Sequence, residues 1–151
     1  MERWRTVWRD GIAPQLSTVG LEALKQALAS DDFRLLQGAT TIPPLLSCTQ
    51  GWAVEAGCVI VFCGVADADG FTTDADGNKC QVSSTVHEAE EFFARVCFEA
   101  NQLIGEPAAC RHFVNFTDRT PRDEMRRQLL PEVDRVLRRR RGEHAEIYGE
   151  E

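Results

Sequence analysis

No Gly-x-Ser-x-Gly elbow, no glycine-rich phosphate loop followed by lysine and no His-Glu-x-x-His pair occurs in these 151 residues. Their absence removes the usual local signatures of a hydrolase nucleophile, a nucleotide cradle and a zinc protease. The six cysteines, at positions 48, 58, 63, 80, 97 and 110, form no Cys-x-x-Cys pair. Structural zinc sites ordinarily carry such a knuckle, and a disulfide framework belongs to small secreted chains. The expectation is six free thiols, no cofactor and no stoichiometric zinc. The first residues, MERWRTVWRDG, alternate charge with Trp and lack the apolar core of a signal peptide, so a reducing cytoplasmic setting is expected. No apolar run reaches the 17–25 or so residues that a bilayer-spanning helix needs, and no membrane association is expected.

What the chain does contain is one strongly apolar stretch, Gly51 to Ala66, with a single charge at Glu55. A run of this length exceeds an ordinary strand, and one that is apolar all round marks a buried helix. The alternative is a short helix followed by a strand from Cys58 to Val65, paired across the Asp-Gly turns downstream. Around this stretch the spacing predicts amphipathic helices. Trp4, Val7, Trp8 and Ile12 share one face of a helix over 2–12, stopped by Pro14. Ser17 or Thr18 caps a second helix through Ala29, and Asp31 caps a short third one to Gln37. Ala39 to Gln50 holds a Pro-Pro pair that excludes helix and reads as a surface linker or docking strap. Thr85 with Glu88 forms a capping box for a helix that ends at Gly105. Pro107 opens a helix through Phe116, and Thr120, Pro121 and Asp123 open a last one, with a kink or break expected near Leu130 because Pro131 lacks a donor.

These signals add up to an all-α fold, a compact orthogonal bundle of about five to seven helices around the buried central segment, with a possible short β-hairpin near 58–82. One domain over residues 1–142 is expected, followed by an acidic, flexible tail over 143–151.

Charge is distributed unevenly. Residues 1–110 carry 7 Lys/Arg against 15 Asp/Glu, residues 111–142 carry 10 against 5, and the tail carries none against 4. The basic helix ends in the run Arg138 to Arg141, which with Arg127 and Arg135 is the candidate site for an anionic partner: Arg127, Arg135, Arg138, Arg139, Arg140 and Arg141. The plain alternative is a solvated last turn in which cations complement the helix dipole. A sequence pI near 5.0 disfavours nucleic acid.

The metal candidates are incomplete. His87 and Glu91 stand four apart on one helix face, and Cys110 with His112 could join Cys48 or Cys80. Asp67, Asp69, Asp74 and Asp76 crowd a polar stretch with two Asp-Ala-Asp-Gly turns. An EF-hand register needs an oxygen ligand first and an acid twelfth. Placing Gly70 sixth puts Val65 first, and placing Gly77 sixth puts Ser83 last, so both registers fail. The function expected from all this is a non-catalytic module that binds another protein. A metal-dependent or thiol enzyme using His87, His112, Cys110 or the acidic loop is the alternative, and nucleic-acid docking through the arginine run is a third reading.

Overall fold

The computed structural model describes residues 1–68 and 84–148. Within them six α-helices and one two-stranded ribbon enclose a single apolar core. Helix α1 spans Arg3–Val7 and passes without a break into a π-helical turn, Trp8–Ile12, and a 3-10 turn, Ala13–Gln15. The one amphipathic helix expected over 2–12 is thus three helical types in succession. Widening the turn keeps Trp8, Gly11 and Ile12 all buried. Pro14, which has no amide hydrogen to donate, sits in the 3-10 turn that ends the run.

Helix α2, Thr18–Ser30, begins as its sequence predicts: the Ser17 hydroxyl accepts from the Gly20 amide at 2.9 Å. It ends in Asp31, whose φ of 56° is the left-handed conformation of a helix stop. The short helix expected over Asp31 to Gln37 does not form. Arg122 reaches across to this segment, donating to Leu35 O and Asp32 O at 2.9 Å each, and Leu35 bridges to Gly57. Asp32 O also accepts the Leu35 amide at 3.0 Å in a single turn, but Arg34 O and the Leu36 amide are bonded to the backbone of Gly57, at 2.9 and 2.8 Å, so the turn does not continue as a helix.

The central stretch also departs from expectation. Gly51 to Ala66 is not one helix: α3 runs only over Val59–Ala68. Ahead of it, β2 (Ala56–Gly57) pairs antiparallel with β1 (Thr41–Ile42), Thr41 opposite Gly57 and Ile42 opposite Ala56. The strand alternative for Cys58 to Val65 fails too, since those residues turn into α3. Of the possible hairpin near 58–82, residues 59–68 are helix and 69–83 lie outside the described residues; the two-stranded ribbon described here lies further upstream. What holds of the expectation is a buried helix over its second half, with Val59 through Cys63 and Val65 all in the core.

Helix α4, Val86–Ile104, has the complete capping box, with the Glu88 amide on the Thr85 hydroxyl at 3.2 Å and the Thr85 amide on Glu88 Oε1 at 3.1 Å. Gly105, at φ 81°, ends it. Helix α5 is Cys110–Arg119, starting three residues later than Pro107 suggested because 107–109 form a turn. Helix α6 is continuous over Arg122–Tyr148 with Pro131 inside it, so the break expected near Leu130 is absent. Among the described residues no helix is long and apolar enough to cross a membrane.

One polar clamp and one set of stacked aromatic rings lock the helices together. Glu132 of α6, with a side chain only 5% exposed, accepts a forked pair from Arg9 at 2.8 and 2.7 Å and a third bond from Arg5 at 3.0 Å. Behind this clamp Trp4 stacks on Phe116 at 3.7 Å between ring centroids, and Trp8 on Phe113 at 5.3 Å. The first-helix tryptophans are therefore core.

Candidate functional site

The titratable residues singled out in the sequence do not converge. His87 pairs with Glu91 at 2.7 Å on the exposed first turns of α4. His112 pairs instead with Glu106, at 3.3 Å, and Glu106 also takes Arg3. Cys110 is buried at the start of α5, whereas Cys48 is exposed on the far loop. Asp67 is exposed near the end of α3, and Asp69, Asp74 and Asp76 lie outside the described residues. Among the described residues no three His, Cys, Asp or Glu side chains gather where a metal ion could be held.

The arginines of α6 divide by helix face. Arg140 continues the core-facing stripe of Met125, Leu129, Val133 and Val136, and its guanidinium donates to Ala13 O at 3.1 Å and Thr18 Oγ1 at 3.2 Å. Arg138 pairs with Asp134 at 2.7 Å and Arg127 with Glu124. Arg135, Arg139 and Arg141 are exposed. Two further arginines of this helix turn inward, Arg126 to Leu28 O and Ala29 O at the end of α2 and Arg122 to Asp32 O and Leu35 O just beyond it. A cleft of about 260 Å³ between α3 and α4, lined by Val61, Gly64, Phe92, Ser84, Glu88, Glu91 and Arg95, brings two carboxylates, one guanidinium and one hydroxyl together.

The most unusual surface lies elsewhere, on the loop between the two strands. Residues 43–55 leave β1 and return to β2, so their ends are held side by side while the loop stands out. Its frame is internal. Thr49, 4% exposed, donates its hydroxyl to Pro44 O at 2.7 Å and accepts the Leu46 amide at 2.8 Å. Thr41, 3% exposed, lies within hydrogen-bond reach of Pro43 O and Glu90 Oε2. The returning limb caps α4, because Trp52 O and Gln50 O accept the amides of Val86 and His87 at 2.9 and 3.1 Å. Those amides are among the first of the helix, which have no partner inside it.

On this frame the large apolar side chains point to water. Ile42 is 43% exposed, Leu45 40%, Leu46 55% and Trp52 57%. A Trp that could have been buried is instead carried at the start of α4 by hydrogen bonds on both sides of it in the chain. Sequence reasoning read Ala39 to Gln50 as a non-helical surface linker or docking strap but assigned Trp52 to a buried helix. The available signal was the pairing of Pro43-Pro44-Leu45-Leu46 with a Trp directly after Gly51, apolar residues in a stretch whose backbone cannot be helical. The electrostatic setting is one-sided: residues 35–68 and 84–94 contain no Lys or Arg, while Glu55, Glu88, Glu90 and Glu91 fall within them.

Comparison with protein-family models, with curated proteins and with solved structures finds no match.

Proposed function

We propose that this chain is a non-catalytic protein-binding module whose docking surface is the loop 42–52, and that its partner presents apolar side chains flanked by Lys or Arg. The observation that carries the reading is the exposure of Ile42, Leu45, Leu46 and Trp52 on a loop fixed by its own hydrogen bonds. Several large apolar side chains exposed on one hydrogen-bonded loop and its adjoining strand are a mark of an interaction site, and a loop already held in place loses little entropy on binding. Trp is the residue most enriched at energetic centres of interfaces. The excess of carboxylates over cations in the segments around the loop, Glu55, Glu88, Glu90 and Glu91 against Arg95, favours a basic partner and speeds its encounter. A reducing compartment such as the cytoplasm belongs to the proposal, supported by the five described cysteines being free thiols.

The test compares the full-length chain with a Leu46→Asp, Trp52→Ala double variant, both shown to be folded by circular dichroism. A defined protein that co-purifies with the first, loses at least about thirty-fold in affinity for the second and binds more weakly as salt rises is the expected result. A partner retained equally by both, or one indifferent to salt, overturns it.

A further inference from the structure

The stripe of α2 that faces away from the core carries no charge. Val19, Ala23, Gln26 and Ser30 recur along it at helical spacing, with Glu22 to one flank and Lys25 turned to Asp134 at 2.8 Å. Val19 is 59% exposed, and Phe33, just past the end of the helix, is 84% exposed, more than any other large apolar side chain among the described residues. A groove of about 320 Å³ runs beside the stripe, with Ala23, Ala27, Phe62 and Ala66 along it; Asp32 and Arg34, the sequence neighbours of Phe33, also line it. The turn that presents Phe33 is braced on both sides. Asp31 accepts from Arg122 at 2.5 Å, and Arg34 forks onto Asp32 at 2.8 and 3.0 Å.

We propose that this face is an interface between two copies of the chain, related by a twofold axis at Gln26. In the sequence Gln26 stands midway between Val19 and Phe33. An axis through it, perpendicular to α2, lays the two copies of the helix antiparallel and brings each Phe33 to the Val19 and Ala23 end of the other copy's groove. Ala23 and Ser30, on either side of the axis, are small enough to let the helices close to near the lower end of the roughly 8–10 Å packing range.

Shape, charge and size all point to a second copy as the occupant. The exposed ring and the groove lie on one face, so a foreign partner would have to bring a counterpart for each, whereas this chain carries both. The chain has a net charge of −7, and most of its surface repels its like. Beside the groove, however, the ions are balanced: Asp32 is matched by Arg34 and Asp31 by Arg122, so two such faces meet without that local repulsion. A buried Phe covers about 150–250 Å². Two rings, the surfaces they cover and the Val19 contacts together reach the lower end of the roughly 1,200–2,000 Å² of a stable interface, which makes the dimer a weak and reversible one.

The experiment is sedimentation equilibrium of the full-length chain under reducing conditions. A monomer–dimer equilibrium with Kd on the order of 100 µM is expected, read from about a tenth of that concentration to ten times it. Phe33→Ser should weaken the dimer at least about tenfold, as loss of a central aromatic anchor does, and leave the melting temperature unchanged because the ring is already in water. The axis is tested by mild oxidation in a Cys48→Ser background. There Gln26→Cys is expected to link two chains, its sulfurs meeting at the dyad, whereas Val19→Cys, which stands opposite Phe33 of the other copy, is not. The Leu46→Asp, Trp52→Ala double variant should dimerise as the wild type does, which separates this face from the loop 42–52. A chain monomeric over the whole range, a dimer equally strong in Phe33→Ser, or one lost in the double variant overturns the proposal.

Discussion

Glu132 is the residue on which the N-terminal helices depend. Hydrogen bonds from Arg9, followed by those from Arg5, hold its carboxyl below the ordinary carboxylate range, against the opposing effect of burial. A folded pKa lowered in this way contributes stability that is complete above the unfolded value of about 4.5 and is lost as pH falls below it. Acid titration of the melting temperature should therefore show a steeper fall in the wild type than in Glu132→Gln. Replacement by Ala leaves two arginines facing a cavity. Because each is about a quarter exposed, the cost is expected near 2 kcal/mol, below the roughly 3–5 kcal/mol for breaking a fully buried pair. Urea titration measures it.

Gly20 gives a second test at the same scale, with the opposite sign from local propensity. It sits in the first turn of α2, where Ala would gain up to about 1 kcal/mol as a helix former. A Cβ there would stand 2.6 Å from Cys63 O and 3.1 Å from Cys63 C, which are backbone atoms of α3 and can yield only if the helices separate. Gly20→Ala is expected to destabilise by about 2 kcal/mol or more, in the manner of overpacked cores, and a rise in thermal stability would refute this account of the crossing.

At the scale of elements, what could be read in advance was whatever the chain settles among near neighbours. Ser17 before α2, the reciprocal Thr85 and Glu88 bonds before α4 and the left-handed Gly105 after it each involve residues within a few positions of one another, and each is present. The failures are non-local. Ala56 and Gly57 are strand because Thr41 and Ile42 lie beside them, and no pattern within Gly51 to Ala66 announces that pairing. The segment after Asp31 is not helix because the backbone of Arg34 and Leu36 is bonded to Gly57, with Arg122, far along the chain, bracing Asp32 O and Leu35 O. Site legibility follows the same division: the strap was visible from its prolines, whereas the outward placement of Trp52 depends on its carbonyl capping α4. Arg122→Leu provides the check. It should lower stability by about 1–2 kcal/mol and speed hydrogen exchange at the Leu36 amide, which bonds Gly57 O at 2.8 Å, while leaving exchange in α4 unchanged.

For the whole molecule the question is what a net charge of −7 leaves for the basic helix to do. The positive sum of residues 111–142 overstates its outward field, because Arg122, Arg126 and Arg140 spend their donors on carbonyls of the fold and Arg138 is paired with Asp134. Arg127 is paired with Glu124, and the exposed remainder, Arg111, Arg119, Arg135, Arg139 and Arg141, stands against an acidic body over residues 1–110. Duplex DNA binding gains its affinity from the number of phosphates neutralised, and five cations on an acidic chain supply few. The full-length protein is accordingly expected to show no measurable affinity for duplex DNA at physiological salt. The same division gives a stability test within a single run of arginines. Arg139→Gln should change stability by less than about 0.5 kcal/mol, as ordinary surface substitutions do. Arg140→Gln should cost about 1 kcal/mol, since it removes bonds to Ala13 O and Thr18 Oγ1 that tie the last helix to the entrance of α2. Equal effects of the two would place Arg140 in solvent with its neighbour, and tight, sequence-selective binding of DNA by the intact chain would move the functional reading from the apolar loop to α6.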